Sequence, residues 1–235
     1  MNTLRLYIGE IRRLDDEGQS TAIFKYPVSG SILLGTEGLS GDAQADKRVH
    51  GGPEKAVHHY AAENYAKLAA RFPAVVDQFR VGSIGENLST TGWDEHNVFI
   101  GDTFRLGTAL VQVSQPRSPC WKIDHRYATK GIAGFIAESG LTGWYYRVLE
   151  TGSVANDAPF TLEHRLPGAV SLATLWQVWS EHRPDPDTLA RISEAPGLNP
   201  GWQKKLCDRM AWLRDHSGAP PTPTFHVKPT PPKGA

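Results

Sequence analysis

Residues 98–122 read VFIGDTFRLGTALVQVSQPRSPCWK, and the fold prediction depends on the pattern they contain. Two β-rich runs, 98–106 and 109–114, are separated by glycine, and the second must end by Pro116 because proline cannot continue a strand ladder. The same pattern recurs over the first 165 residues, where we predict further strands over residues 4–11, 21–28, 31–34, 144–149 and 160–164. Many short strands at uneven spacing favour a β-barrel or sandwich over repeated βαβ units.

Two segments interrupt this β-rich region with helical spacing. Apolar residues from Tyr65 to Phe72 recur at i, i+3, i+4 and i+7, which predicts a helix over residues 61–72, and a second helix is predicted over 131–139. Residues 56–60 could open the first helix, but their valine and tyrosine favour a strand.

The pattern changes to helix after Pro167. Ser171 is a typical cap for a first helix, a second helix is predicted over 188–194, and Asn199-Pro200 opens a third that includes Cys207. These helices are too short to be stable alone, so they should pack as a unit, with Cys207 as a packing residue. We therefore predict a mainly β domain with a few helices over residues 1–166, a small three-helix domain over 167–217 and a disordered proline-rich tail over 218–235.

The composition limits the classes of partner. The 235 residues include 25 Lys and Arg against 25 Asp and Glu, without a run of like charges. This balance argues against a nucleic acid or an anionic membrane and favours a small-molecule partner. Residues 1–13 lack the apolar core of a signal peptide, and no stretch approaches the roughly 18 apolar residues of a membrane span. We expect a cytoplasmic protein whose two cysteines are free thiols.

Cys120 is the first candidate for chemistry. It follows a strand end on a segment that Pro116 and Pro119 make stiff, and functional groups are often displayed at such places. Nearby cations favour the thiolate, which is the nucleophilic and metal-binding form; they are Arg117, Lys122 and His125. The alternative is a buried cysteine that, with Trp121, fills a corner of the core.

The densest polar segment is residues 41–55, GDAQADKRVHGGPEK. Gly51 and Gly52 can adopt positive φ and turn backbone N–H groups into one concavity, which would form an anion cradle. Three side-chain donors surround them: Arg48, His50 and Lys55. The alternative is a polar turn at the surface, and the fingerprints of the common nucleotide-binding loops are absent from the sequence.

Two further donors could converge on this cradle. Lys25 lies in a β-like run whose side chains alternate, so its stem could enter the mouth of a barrel, although most such lysines are solvated. Asn87 follows a glycine in GENLS, where the ordinary interpretation is an Asx-type turn.

Other chemistries remain open from the residues alone. A Cys–His hydrolase would pair Cys120 with His50, His58 or His59. Zinc is disfavoured because there is no paired C-x-x-C and because His58 and His59, adjacent on one strand, would face opposite sides. Two cysteines cannot ligate an iron–sulfur cluster of the four-cysteine type, so a redox reaction would need electrons from another protein.

Five segments in order resemble the MOSC domain, named for the C-terminal domain of molybdenum-cofactor sulfurases. They are KYPV (25–28), GLSGDAQADKRVHGGPEKAVHHY (38–60), GENLS (85–89), GDTFRLG (101–107) and SQPRSPCWK (114–122). The three C-terminal helices resemble the extension found in the YiiM branch of that family. The resemblance spans about residues 1–215 and leaves only the proline-rich tail outside it.

The resemblance implies a MOSC-type β-barrel domain that binds the molybdenum cofactor, molybdopterin. On matching positions, Cys120 would be the molybdenum ligand or a thiol that carries sulfur. Lys25, Arg48, His50 and Arg117 would hold the pterin phosphate and the oxo groups, with further contacts from Gly51, Gly52, Lys55 and Asn87. A proton donor would also be needed, and we assign that role to His50.

The resemblance also implies a reaction. Members of the YiiM branch are linked to detoxification of N-hydroxylated base analogues such as 6-hydroxylaminopurine, by reduction of the N–OH bond. We therefore expect an oxidoreductase fed by a separate electron-donating reductase, with homodimer formation left open. The alternative is a carrier module that relays sulfur or cofactor through a persulfide on Cys120.

Overall fold

A computed structural model describes residues 4–14, 18–46 and 50–216 of the chain. Arg48 and the tail predicted over 218–235 lie outside these residues. Within them the chain forms thirteen strands and six α-helices, together with two short 3₁₀ segments, Pro53–Lys55 and Pro73–Gln78.

The strands follow one another through the first 164 residues. Their bounds are β1 Arg5–Ile8, β2 Arg12–Leu14, β3 Gln19–Thr21, β4 Tyr26–Pro27, β5 Ser31–Gly35, β6 Gly38–Leu39, β7 Val57–His59, β8 Leu88–Ser89, β9 Thr103–Leu106, β10 Ala109–Pro116, β11 Trp144–Glu150, β12 Gly152–Ala155 and β13 Phe160–His164. The helices are α1 Asn64–Arg71, α2 Lys122–Arg126, α3 Ile132–Ser139, α4 Leu172–Ser180, α5 Pro186–Ser193 and α6 Pro200–Asp215.

Eight strands form one curled, mixed sheet in the order β13-β9-β10-β11-β7-β8-β1-β4. Neighbours in this sheet are antiparallel except β7 and β8, which are parallel. A three-stranded sheet, β12-β5-β6, and the pair β2-β3 complete the β structure. The sheet is a half-barrel with helices beside it, which confirms the predicted mainly β fold with C-terminal helices.

The β structure differs from the predicted strands at several places. The strand predicted over 4–11 ends at Ile8, and β2, β6 and β12 were not predicted. The run predicted over 98–106 is a strand only from Thr103, because the chain turns at Gly101, whose φ is 82°. The Asp102 carboxylate accepts the Phe99 N–H at 2.9 Å and so fixes that turn. The run predicted over 21–28 is divided between β3 and β4, and the extended segment between them borders a pocket.

The first and third C-terminal helices begin where Ser171 and Asn199 predict, whereas the second begins at Pro186, two residues before the predicted start at 188. The Thr174 N–H donates to Ser171 Oγ at the start of α4, and Asp185 and Asn199 cap α5 and α6 in the same way. Cys207 does not pack as predicted, because its neighbour Leu206 takes the buried position and Cys207 is exposed. Adjacent helical residues lie about 100° apart, so only one of them can face the core.

One hydrophobic core joins the sheet to these C-terminal helices. Sheet residues such as Leu6, Val111 and Trp144 belong to the same buried cluster as Leu175 and Trp202 of α4 and α6. A second cluster lies among α1, α2 and α3 and is made of residues such as Tyr65, Ile123 and Ile136. Burial of these apolar surfaces is the main stabilising term and holds the loops between them in place.

Among the described residues, no helix combines the length and apolar character that crossing a bilayer requires.

Candidate functional site

A pocket of about 610 Å³, its open mouth included, lies at the end of the central strands. Five segments meet there: the extended chain before β4, the loop that follows β6, the 3₁₀ segment Pro53–Lys55, the turn before β8 and the segment between β10 and α2. They bring together six of the predicted site residues: Lys25, His50, Lys55, Asn87, Arg117 and Cys120. We call this space the thiol pocket.

Cys120 is both buried and part of the pocket wall. It is 5% exposed, lies between the end of β10 at Pro116 and the start of α2 at Lys122, and lines the thiol pocket. Its carbonyl accepts the Ile123 N–H at 3.0 Å, so the first turn of α2 fixes its backbone. The two interpretations of Cys120, a buried residue and a displayed thiol, therefore both apply. The residue is buried, and its side chain faces an internal pocket.

Arg117 is a buried cation that lines the same pocket as that thiol. The residue is 5% exposed, and its backbone N–H donates to the Gly143 carbonyl at 3.0 Å. It also lies next to Tyr145: burial raises the pKa of the tyrosine, and the Arg117 charge and hydrogen bond oppose that rise. Arg117 Nη1 is buried and finds no hydrogen-bond partner among the residues that the structure describes. A buried guanidinium with an unused donor indicates a place for an anion.

Lys25 is held in place by a carboxylate that the sequence prediction missed. Its Nζ lies 2.5 Å from Asp42 Oδ1, and both side chains are nearly excluded from solvent. Burial lowers the pKa of Lys25, and the Asp42 charge and hydrogen bond act in the opposite direction. Asp42 Oδ1 also accepts the Gly9 N–H at 2.7 Å, so the pair is anchored to the backbone after β1.

Asn87 supports this pair from the other side. Its Nδ2 donates to Asp42 Oδ2 at 2.8 Å and to the Tyr7 carbonyl at 3.2 Å, and its Oδ1 accepts the His58 N–H at 3.2 Å. Because the whole amide is used within the protein, Asn87 is placed to position Asp42 and the β7 backbone. Its predicted direct contact with a cofactor stays a prediction.

His58 and His59 lie on opposite sides of β7, as the alternation of a strand predicts. His58 lines the thiol pocket, and its Nε2 is buried without a hydrogen-bond partner in the described part of the chain. His59 lies in the core, where its ring nitrogens bond to Tyr146 and Thr90, each at 3.0 Å. Burial lowers the pKa of both well below the ordinary value, and for His58 the Arg117 charge adds to that effect.

These positions limit which histidine could serve as the base of a Cys–His hydrolase. His59 lies on the other side of β7 from the pocket, and both of its ring nitrogens are hydrogen-bonded. His58 shares the pocket with Cys120, but its depressed pKa makes it a weak base. His50 also lines the pocket.

A buried carboxylate fixes the turn that forms the pocket floor. Glu86 accepts the Tyr65 hydroxyl at 2.5 Å and the Gly82 N–H at 2.6 Å, and burial raises its pKa. These hydrogen bonds fix the turn that contains Gly85, whose carbonyl lies 3.4 Å from His58 Nδ1. Because Tyr65 belongs to α1, Glu86 links the position of the turn to that helix.

The predicted anion cradle is divided between two pockets. Gly51 and Gly52 line a neighbouring pocket and not the thiol pocket, while Lys55 lines both. Arg48, the cation predicted beside them, lies outside the described residues. His50 stays with the thiol pocket, so the glycines are the members of the predicted set that the structure separates from Cys120.

Several lining residues were missed by the sequence analysis. Asp42, His58 as a pocket residue, Tyr145 and Thr21 all border the thiol pocket. Lys122 was expected to act on the thiol, and its Nζ donates to the Ser20 carbonyl at 2.6 Å. A signal existed only for Asp42, because a lysine that enters a barrel mouth needs a carboxylate partner. The others depend on tertiary contacts.

The charge of the lining points to an anionic ligand. Among the described residues, four cationic side chains, Lys25, Lys55, Arg117 and Lys122, line the thiol pocket together with one carboxylate, Asp42. Because the whole chain is balanced at zero formal charge, this is a local concentration of positive charge. Such a pocket favours phosphate or metal oxyanions, and its single thiol adds a soft metal ligand.

Comparison with known proteins gives a consistent picture. A family model of the MOSC domain matches residues 46–161. The chain is 41% identical over 205 residues to Protein YiiM of Escherichia coli (strain K12), a match that covers 87% of this chain and 90% of that protein. It also superimposes on the crystal structure of YiiM from Escherichia coli with a TM-score of 0.75 and 34% identity, covering 90% of this chain and 94% of that one.

A further relative is much longer. A protein of Gibberella moniliformis (strain M3125 / FGSC 7600) named "Reductase" is 33% identical over 195 residues, which are 82% of this chain and 35% of that protein. The matched part is thus about a third of the fungal protein.

Proposed function

This chain belongs to the MOSC-domain family, and from that premise we propose that the thiol pocket binds the molybdenum cofactor and reduces N-hydroxylated compounds such as 6-hydroxylaminopurine. The observation that carries the proposal is that Cys120 and the buried Arg117 line one cationic pocket. Arg117 Nη1 has no hydrogen-bond partner among the described residues, so it could donate to a ligand there. The cofactor combines a phosphate, metal oxo groups and a metal that accepts thiolate, and this set of donors suits each of them.

Each residue has a distinct part in holding such a ligand. Cys120 would ligate molybdenum, Arg117 would direct its free Nη1 at an oxygen of the ligand, and Lys25 would supply a charge whose position Asp42 fixes. The remaining donors at the mouth are Lys55 and His50. Because Lys25 and Arg117 are already buried and oriented, binding would need little rearrangement.

The reaction converts R–NH–OH, two electrons and two protons into R–NH₂ and water. The cofactor, when bound, supplies the two-electron redox chemistry. His50 lines the same pocket as Cys120, and we assign it to deliver the proton that leaves with the hydroxyl oxygen. His58, whose depressed pKa keeps it neutral, serves better as a hydrogen-bond partner of the ligand than as an acid.

The electrons would come from a separate reductase. Support comes from the fungal relative named "Reductase", in which the part similar to this chain is only 35% of the length. We propose that a separate protein partner supplies the electrons to this chain, as a further part of the same chain can in a longer protein.

The experiment uses protein purified from a host that makes the cofactor, with a chemical electron donor and 6-hydroxylaminopurine. We expect Cys120→Ala to lose roughly a hundredfold or more of the rate, the range for removal of a group at the reacting centre. Cys207→Ala is the matched control, because Cys207 is exposed on α6, and it should keep the wild-type rate. Full activity of Cys120→Ala would overturn the mechanism.

A sulfur or cofactor carrier is the second candidate, and the buried thiol among cations favours it because the pocket would also stabilise a persulfide anion. Mass spectrometry of the intact protein separates the two. A persulfide on Cys120, without molybdenum and without N–OH reduction, would support the carrier.

A further inference from the structure

The residue that caps α6 contacts two segments that lead into the thiol pocket. One is the 3₁₀ segment Pro53–Lys55, whose Lys55 lines the pocket. The other is the end of β10, which leads into the segment that carries Cys120. The contact is made by Asn199, the N-cap of α6, which is 8% exposed. A buried residue of the C-terminal helical region therefore lies against the scaffold of the pocket.

Asn199 uses both ends of its side-chain amide. Its Oδ1 accepts the Gly201 and Trp202 N–H groups at 2.6 and 3.2 Å and so caps the helix. Its Nδ2 donates to Glu54 Oε2 at 3.2 Å. Aspartate and serine cap helices about as well as asparagine, but an aspartate has no donor for a carboxylate and a serine has one short hydroxyl for both tasks. The asparagine is thus explained by its bond to Glu54 as well as by capping.

Glu54 is held by hydrogen bonds to its side chain and to its backbone. Its carboxylate accepts Arg147 Nη2 at 2.5 Å as well as Asn199 Nδ2, and its carbonyl accepts the Ser114 hydroxyl at 2.6 Å. The Asn199 N–H donates to the Ser114 carbonyl at 2.9 Å, which closes a ring of hydrogen bonds through α6, β10 and the 3₁₀ segment. Because Lys55 follows Glu54 directly in a tight turn, this ring limits where the Lys55 backbone can lie.

We infer that Asn199 is a positioning residue of the thiol pocket. Through Glu54 it sets where the Lys55 side chain borders the pocket. Through Ser114 it fixes the strand end that leads to Cys120. The C-terminal helices are then part of the scaffold of the site, although no described residue of these helices lines the thiol pocket. This placement is a property of the fold, and the proposed function rests on it only for holding a ligand.

Alkylation of Cys120 by iodoacetate and by iodoacetamide tests the placement of Lys55 without cofactor or catalysis. The thiolate displaces iodide from both reagents, so the ratio of the two rates cancels the thiolate fraction and reports the positive charge that the anionic iodoacetate meets. The full chain is used as Cys207→Ser, which leaves Cys120 as its one cysteine. At low ionic strength Asn199→Ser should lower the ratio of the iodoacetate rate to the iodoacetamide rate about threefold, because the Lys55 charge shifts while α6 stays capped.

Asp185→Ser is the matched control. Asp185 caps α5 at the surface, and a serine there also keeps a capping residue, so this variant should show the wild-type ratio. Ser114→Ala removes the bond to the Glu54 carbonyl and should lower the ratio as Asn199→Ser does. This second variant decides the question if Asn199→Ser does not fold.

The ratio separates positioning from a merely structural role. A loss of packing opens the pocket to both reagents alike and changes the two rates together. Wild-type ratios in folded Asn199→Ser and Ser114→Ala would therefore overturn the inference. A lowered ratio in a protein that, as wild type, reduces no N–OH compound would keep the positioning role of Asn199 and refute only the proposed reaction.

Discussion

The thiol pocket and the neighbouring pocket, which lies between residues 51–55 and the start of α6 and which we call the lysine cleft, hold their lysines in different ways. In the thiol pocket the Lys25 ammonium is paired with Asp42, which Asn87 and the Gly9 N–H bond in turn. In the lysine cleft the charge of Lys205 lowers the pKa of Lys55, and the nearby Glu54 is bonded to Arg147. The first arrangement stabilises the fold and presets the site, whereas the second brings two like charges to one pocket.

The difference follows from where each pocket lies. The thiol pocket is formed among strands and turns of the sheet, where the buried Lys25 ammonium is tolerated because Asp42 pairs with it. The lysine cleft lies between the sheet and α6, where Lys205 keeps contact with solvent and stacks over Trp202 at 5.1 Å. A charge that reaches solvent can remain without a carboxylate partner.

The largest expected effect breaks the buried pair. Asp42→Ala leaves the Lys25 ammonium buried without its counterion and removes the acceptor of the Gly9 N–H. We expect the free energy of unfolding in urea to fall by about 3 to 5 kcal/mol, the range for breaking a buried ion pair from one side. The surface pair on α6 is the control, and Asp208→Ala should cost less than about 1 kcal/mol because both side chains are exposed. Similar losses in the two variants would show that the Lys25–Asp42 pair does not stabilise the fold.

A smaller effect is expected from the protonation of His59 on β7, the strand that also carries His58 of the thiol pocket. Burial keeps the pKa of His59 well below 6.5, so below that pH the unfolded chain binds a proton that the folded chain does not. Stability should therefore fall with decreasing pH, by up to about 1.4 kcal/mol per pH unit for this histidine.

The variant His59→Gln isolates that contribution. The buried carboxylates Glu86 and Glu95, whose pKa values burial raises, act with the opposite sign but are present in both proteins. The slope of unfolding free energy between pH 6.5 and pH 5 should be shallower in His59→Gln than in the wild type. Parallel slopes would mean that His59 is protonated in the folded protein.

The smallest expected effect is in the lysine cleft. Lys205→Met removes one of two repelling charges and keeps the aliphatic contact with Trp202, so the free energy of unfolding in urea should change by less than about 0.5 kcal/mol. A large loss would place Lys205 among the structural residues and remove the contrast between the pockets.

The sequence was informative wherever the signal was local. Short β-rich runs between glycines predicted a mainly β domain, and Ser171 and Asn199 marked helix starts because capping depends on residues within one turn. The approach to Cys120 was also local, since two prolines limit the backbone on either side of Arg117.

The sequence was not informative where the partner is distant in the chain. Lys25 and Asp42 are 17 residues apart and meet only because β1 and the loop after β6 come together. Gly51 and Gly52 were assigned to the same cradle as His50, but the 3₁₀ turn that follows them directs them toward α6, which begins at residue 200. No spacing rule anticipates a contact across 150 residues.

The most direct test of the central claim, that the thiol pocket holds a molybdenum cofactor through Cys120, is the molybdenum content of freshly purified protein. Wild type and Cys207→Ser from a host that makes the cofactor should carry near-stoichiometric molybdenum, and Cys120→Ser should carry far less. A Cys120→Ser protein with as much molybdenum as the wild type, or a wild type that reduces N-hydroxylated substrates without the metal, would contradict the account.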